Sequence, residues 1–259
     1  MPTEVYWAVL PPALVSACVL LLTARRPREA GLIAAVAAGY AVGHWGVAGL
    51  RWGPAEAALP WTALAAGAVE IAAGAWAVKA KAVPFVLQLC LSGLAAGAVV
   101  AGAPELEHGP YWTAGLGLLG YAAWILLGAG SPGRLASLAA WPPVVASLAL
   151  SIVLLHAGSL KLALLAAALT SALGVALVVA WIRKASVAGA HGTIAVVYTV
   201  LIGNGYFFAD LKPMPGALLL GSLVLPARIG AERRPWIALL AALLPAGAAI
   251  ALSWSPPGE

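Results

Sequence analysis

Glu70 lies in the stretch Ala58–Val78, where every neighbour but Thr62 is apolar or small. A carboxyl at the centre of a helix in lipid costs on the order of 2.5–3.5 kcal/mol to insert. Two kinds of chemistry justify that cost. One is a protonatable site that binds a cation or carries a proton. The other is structural: a protonated carboxyl donating a hydrogen bond to an adjacent helix. Ala66, Gly67, Ala73 and Gly74 are small and leave room for such a helix.

Tyr40, Ser171 and Thr199 are further polar side chains expected at middle depth, with Thr170 and Tyr198 beside the last two. Together with Glu70 they make up the expected substrate- or proton-binding group. His44, in Gly43-His44-Trp45-Gly46, is a candidate relay toward Glu70; a satisfied interfacial histidine is the plainer reading. Taken singly, a Ser or Thr in lipid is an interhelical hydrogen bond contributing under about 1 kcal/mol.

His108, His156 and His191 fall at expected span ends or loops, and no two His, Cys, Asp or Glu residues have zinc-ligand spacing. No metal and no cofactor are therefore expected. G-x-S-x-G, H-E-x-x-H and P-loop patterns are absent, so no catalytic residue is assigned and the chain is not expected to be an enzyme. Gly203-Asn204-Gly205-Tyr206 reads first as a helix fraying toward Asp210, and second as an unwound segment whose carbonyl coordinates an ion.

The elements that position these groups follow from composition. Apolar residues make up 63% of the 259, charged residues only 9%, and mean hydropathy is +0.98. A water-soluble surface of this size needs more charge, so the chain is a polytopic helical membrane protein. Polar breaks leave about ten apolar segments, each near the roughly 20 residues that a spanning helix needs. They are Tyr6–Thr23, Ala30–Gly49, Ala58–Val78, Ala82–Gly102, Tyr111–Gly128, Ala136–His156, Leu160–Ile182, Val187–Phe208, Met214–Ala227 and Trp236–Trp254. The ninth is short and ends at Pro226, so eight or nine spans are also compatible with the pattern.

Basic residues fall on alternate connections. Arg25, Arg26, Arg28, Lys79, Lys81, Arg134, Arg183, Lys184, Arg228, Arg233 and Arg234 account for 11 of the 14. Only Arg51, Lys161 and Lys212 lie elsewhere. The positive-inside rule puts the basic connections in the cytoplasm and both termini outside, with a bacterial inner membrane as the default host. Glu4, Glu56, Glu105, Glu107, Asp210 and Glu259 occupy the opposite side. The net charge of +5 is spread over short loops, which excludes a nucleic-acid groove and leaves membrane lipids as the partner of these bases. Trp7, Trp52, Trp61, Trp112, Trp141, Trp181, Trp236 and Trp254 stand near span ends, as an aromatic belt does. The first segment lacks the basic start of a signal peptide, and Cys18 and Cys90 read as packing residues within spans.

An internal repeat is expected, with residues 1–130 and 131–259 as two five-helix halves of one membrane domain. Ala8-Val9-Leu10-Pro11-Pro12 finds a counterpart in Ala139-Ala140-Trp141-Pro142-Pro143, at an offset of 131 residues. The same offset puts Thr62 on Thr193, and Lys81-Ala82-Val83-Pro84 on Lys212-Pro213-Met214-Pro215. An odd number of spans per half makes the second enter from the opposite side, the inverted-repeat plan of many secondary transporters. Both Pro-Pro pairs read as helix-entry devices. Small-xxx-small spacings, among them Gly39/Gly43, Gly93/Gly97 and Ala63/Gly67, allow close helix packing or an oligomer contact. The five-plus-five plan with short loops resembles the drug/metabolite-transporter type of carrier. The expected external termini are opposite to that type's usual orientation, and no functional residue carries over.

The leading expectation is a small secondary transporter or channel-like protein with a midplane site around Glu70 and a small-molecule or ion substrate. The alternative is a non-transporting subunit or scaffold that binds membrane proteins or further copies of itself. An intramembrane enzyme comes third, for want of paired catalytic groups.

Overall fold

The computed structural model describes residues 3–23, 28–49, 58–76, 82–103, 109–129, 140–182, 190–229 and 235–254. These form ten α-helices, with no strand among the described residues. They are α1 (Thr3–Leu22), α2 (Arg28–Ala48), α3 (Ala58–Trp76), α4 (Ala82–Ala101) and α5 (Gly109–Ala129). The rest are α6 (Pro142–His156), α7 (Leu160–Ile182), α8 (His191–Phe208), α9 (Pro213–Arg228) and α10 (Pro235–Ser253). Five of them, α1, α2, α5, α7 and α10, are long and apolar enough to cross a membrane; α3, α4 and α6 hold shorter apolar stretches. Such helices in a chain of this composition mark an integral membrane protein.

Helix starts follow local backbone chemistry more closely than hydropathy. The sixth segment was expected from Ala136, but α6 begins at Pro142, with prolines in its first two positions. There their missing N–H groups have no intrahelical acceptor to lose. In α1 the corresponding Pro11 and Pro12 lie inside the helix, two turns past its start, which corrects the entry-device reading for that pair. The carbonyls of Trp7 and Ala8 lose their usual donors there. The basic residues Arg25, Arg26, Lys79, Lys81, Arg134, Arg183, Lys184, Arg233 and Arg234 lie outside the described residues, as do Arg51, Glu56, Glu105, Glu107, His108, Glu259 and Trp52.

Glycine sets how closely the helices approach. A Cβ on Gly39 would run into Ser16 and Ala172, and one on Gly43 into Pro12 and Ala168. The two glycines thus form a notch on α2 that receives α1 from one side and α7 from the other. Ser16 Oγ donates to the Ala35 carbonyl across the first of these contacts, at 2.9 Å. Gly39 opposite Ala172 and Gly43 opposite Ala168 is an antiparallel register, which brings Tyr40 level with Ser171. In the same way Gly117 of α5 meets the backbone of Gly93 on α4.

Helix α8 occupies the middle. Every residue from Gly192 to Gly205 is buried, and α3 and α5 are its main neighbours. The Tyr198 hydroxyl lies between the carbonyls of Ala146 on α6 and Leu219 on α9, at 3.2 and 3.1 Å. The Gly203-Asn204-Gly205 string is regular helix, neither frayed nor unwound: Asn204 Nδ2 donates to the Val200 carbonyl at 3.0 Å. At one end of the bundle His156 Nδ1 lies 2.9 Å from Ser253 Oγ, its ring against Trp254, clasping α6 to the end of α10. Trp7, Trp61, Trp112, Trp181, Trp236 and Trp254 are exposed near helix ends. Cys18 and Cys90 are exposed on helix surfaces, so they face outward and are not core packing residues.

Candidate functional site

The N-terminus of α8 lacks a cap of its own. Ala190, at the N-cap, is buried in the left-handed region with φ 63°, and its methyl group cannot accept a hydrogen bond. The first amides of a helix have no intrahelical partner, and the helix dipole favours an electronegative group beside them. Glu70 of α3 fills that role: its Oε1 accepts the Gly192 N–H at 2.5 Å. The Trp124 indole and the amides of His191 and Thr193 lie beside the same carboxyl. Trp124, buried on α5, lies so close over Gly192 that any Cβ there would run into its ring. Thr193 Oγ1 donates to the Ala63 carbonyl at 3.3 Å, fixing α8 to α3 a second time. The other carboxyl oxygen, Glu70 Oε2, is buried and has no hydrogen-bond partner.

Two more buried polar atoms among the described residues lack a partner, Ser92 Oγ and Thr199 Oγ1. Both residues line one cavity of about 10 Å³ where α4, α5 and α8 meet. Gly120 of α5 is the third wall: a Cβ there would stand 3.7 Å from Ser92 Oγ and 3.8 Å from Thr199 Cβ.

A groove of about 320 Å³ continues in the same direction, lined by Trp112, Leu116, Gly203, Tyr206 and Phe207. Leu116 borders both spaces. The contacts define one antiparallel seam between α5 and α8. Trp112 packs on Tyr206 and Phe207, Leu116 on Gly203, Gly120 beside Thr199, and Trp124 on Gly192. The four α5 residues recur every fourth position, so they share one helix face.

The expected site residues divide between two places. Glu70 and Thr199 lie on this seam, about 10 Å apart along α8 at 1.5 Å per residue. Tyr40 and His44 pair on α2, the Tyr40 hydroxyl 3.4 Å from His44 Nδ1, and both are buried. Ser171 is half-buried on α7, level with Tyr40. No hydrogen bond joins Glu70, Ser171 and Thr199 to one another among the described residues. Several seam residues escaped the sequence reading, among them Ser92, Gly120, Trp124 and Gly192. None of them carries a mark in the sequence: Trp124 stands four residues before Gly128, the expected end of its span, as the belt tryptophans do. Away from the seam, a crevice of about 250 Å³ lies by the α6–α10 clasp, with His156, Asp210, Lys212 and Ser253 on its walls.

Compared with known protein families and with curated protein sequences, the chain matches none.

Proposed function

We propose that the protein is a small secondary carrier or channel-like protein whose permeant follows the α5–α8 seam, with Glu70 as the proton- or cation-binding group at its end. One observation carries this reading. Of the three buried polar atoms without a partner among the described residues, Ser92 Oγ and Thr199 Oγ1 belong to residues lining one cavity on that seam, and Glu70 Oε2 belongs to the carboxyl that meets its Gly192 end. Buried polar atoms left without a partner cost about 1–3 kcal/mol each, and plain packing has no use for a row of them. The row runs between α3, α4 and α5 on one side and α8 on the other, so both halves of the chain contribute.

The architecture we infer is the inverted pair of halves, 1–130 and 131–259, in a bacterial inner membrane with both termini outside. Two features support it. Helices α2 and α7, equivalent in the repeat, cross antiparallel near their midpoints at Tyr40 and Ser171. Hairpins α1–α2 and α6–α7 are each pinned by a serine: Ser16 to Ala35, and Ser151 to Ala163 at 2.8 Å. Shifted back by the 131-residue offset, the second pair becomes Leu20 and Leu32, one turn from the first. The copies are unequal in their outer contacts: α1 lies against α7, whereas α6 lies against α9 and α10. No catalytic role enters this reading.

Purified protein in liposomes loaded with a pH-sensitive dye tests it. Wild-type protein is expected to dissipate an imposed proton or cation gradient, and Glu70→Gln to fold normally and abolish that flux. Full flux in the variant removes Glu70 from the mechanism. A wild-type protein that moves nothing leaves the second reading, a non-transporting scaffold, which the 10 Å³ size of the interior cavity favours. That reading requires a membrane-protein partner, or a second copy, that copurifies in stable ratio.

A further inference from the structure

We propose that the cavity between Ser92 and Thr199 binds a single water molecule, or a neutral hydrogen-bonding molecule of its size. This deepens the seam reading and rests on it for its functional meaning. Ser92 and Thr199 are each 3% exposed, and their hydroxyls both lack a partner. A hydroxyl offers one donor and two acceptor positions, so the pair can both give to and receive from one bridging molecule. The cavity of about 10 Å³ stands at the lower limit of what admits one water and excludes anything larger. Chemistry narrows the ligand further. The other walls, among them Ala95, Val99, Leu116 and Val196, are apolar. Two hydroxyls in such a setting replace too little of a metal cation's hydration shell, because hard cations take six or more oxygens. What passes this point in the seam is therefore a proton carried on water or a neutral molecule no larger than water, not a dehydrated cation or an organic solute. Gly120 keeps the space open: an alanine methyl would meet both residues at ordinary van der Waals distance and fill it without a clash.

The test is solid-state NMR of the full chain in phospholipid bilayers, reading magnetisation transfer from water protons to the Thr199 side chain. The site predicts a water cross-peak at Thr199 in wild type. In Gly120→Ala it predicts loss of that peak, with helicity and melting temperature retained. A dry Thr199 in wild type, or a peak that survives in a folded Gly120→Ala, overturns it. Ser92→Ala adds a second arm by removing one ligand and weakening the same peak. Liposome flux separates this proposal from the one beneath it. A hydrated Thr199 in a protein that moves no protons keeps the water site and sinks the carrier. Proton flux through a protein whose Thr199 is dry does the reverse.

Discussion

Glu70 shows how far a residue is legible from sequence. An acid among alanines and valines stands out because lipid penalises it, and that alone makes it a candidate. Its partner, Gly192, is 122 positions away and carries no local mark. The pairing yields a stability prediction separate from transport. Glu70→Ala leaves the α8 amides uncapped and is expected to cost about 1–2 kcal/mol, the usual worth of a helix cap, whereas Glu70→Gln keeps an acceptor and most of that stability. Thermal melts of both variants in one detergent decide this, and equal melting temperatures refute the cap. Gly192→Ala drives a methyl into Trp124 and is expected to cost about 1–3 kcal/mol as an overpacking change. Trimming the ring with Trp124→Leu should recover part of that loss, so a double-mutant cycle showing no coupling argues against the contact. Ser92 and Gly120 were invisible for a different reason: a lone Ser and a lone Gly in an apolar helix are commonplace, and only convergence in space gives them meaning.

At the scale of the helix, hydropathy located every segment, because the length of an apolar run is a property of sequence alone. It missed the starts of α6 and α8. Those depend on where two prolines and a left-handed Ala190 let the backbone begin, and the apolar run extends smoothly across both. The glycine spacings were legible as a class but not individually. Gly39 and Gly43 are filled by Pro12, Ser16, Ala168 and Ala172, while a Cβ on Gly93 would meet nothing within 4 Å. Gly43→Leu is accordingly expected to lower stability by about 1–3 kcal/mol and to loosen α1. Gly93→Ala should be neutral or slightly stabilising, since alanine favours helix by about 1 kcal/mol over glycine. Limited proteolysis near the N-terminus together with melting curves distinguishes the two; matching behaviour contradicts the packing described.

For the whole molecule, composition alone fixed the membrane class, and the order of helices followed from polar breaks. The arrangement around α8 did not follow. Its string of Tyr198, Thr199 and Asn204 reads as an unremarkable polar helix until α3, α4, α5 and α7 close around it. The orientation proposed here is testable with impermeant thiol reagents after Cys18 and Cys90, both exposed, are replaced. Lys212→Cys should react in intact cells, and Arg228→Cys only after the membrane is opened. The opposite pattern inverts the topology.

The capping of α8 by Glu70 also sets a clock on biosynthesis. Ribosomes add about 5–20 residues per second, so the 122 residues between donor and acceptor take roughly 6–24 seconds to make. For that interval α3 has been synthesised with its carboxyl lacking the amide that will later receive it. The newborn protein must shelter this acid, beside the insertion machinery or against α2, until the eighth helix emerges. Quality-control proteases that survey half-made membrane proteins have that window in which to act, and variants that slow or misplace α8 would be lost there before they ever reach an assay of the finished molecule.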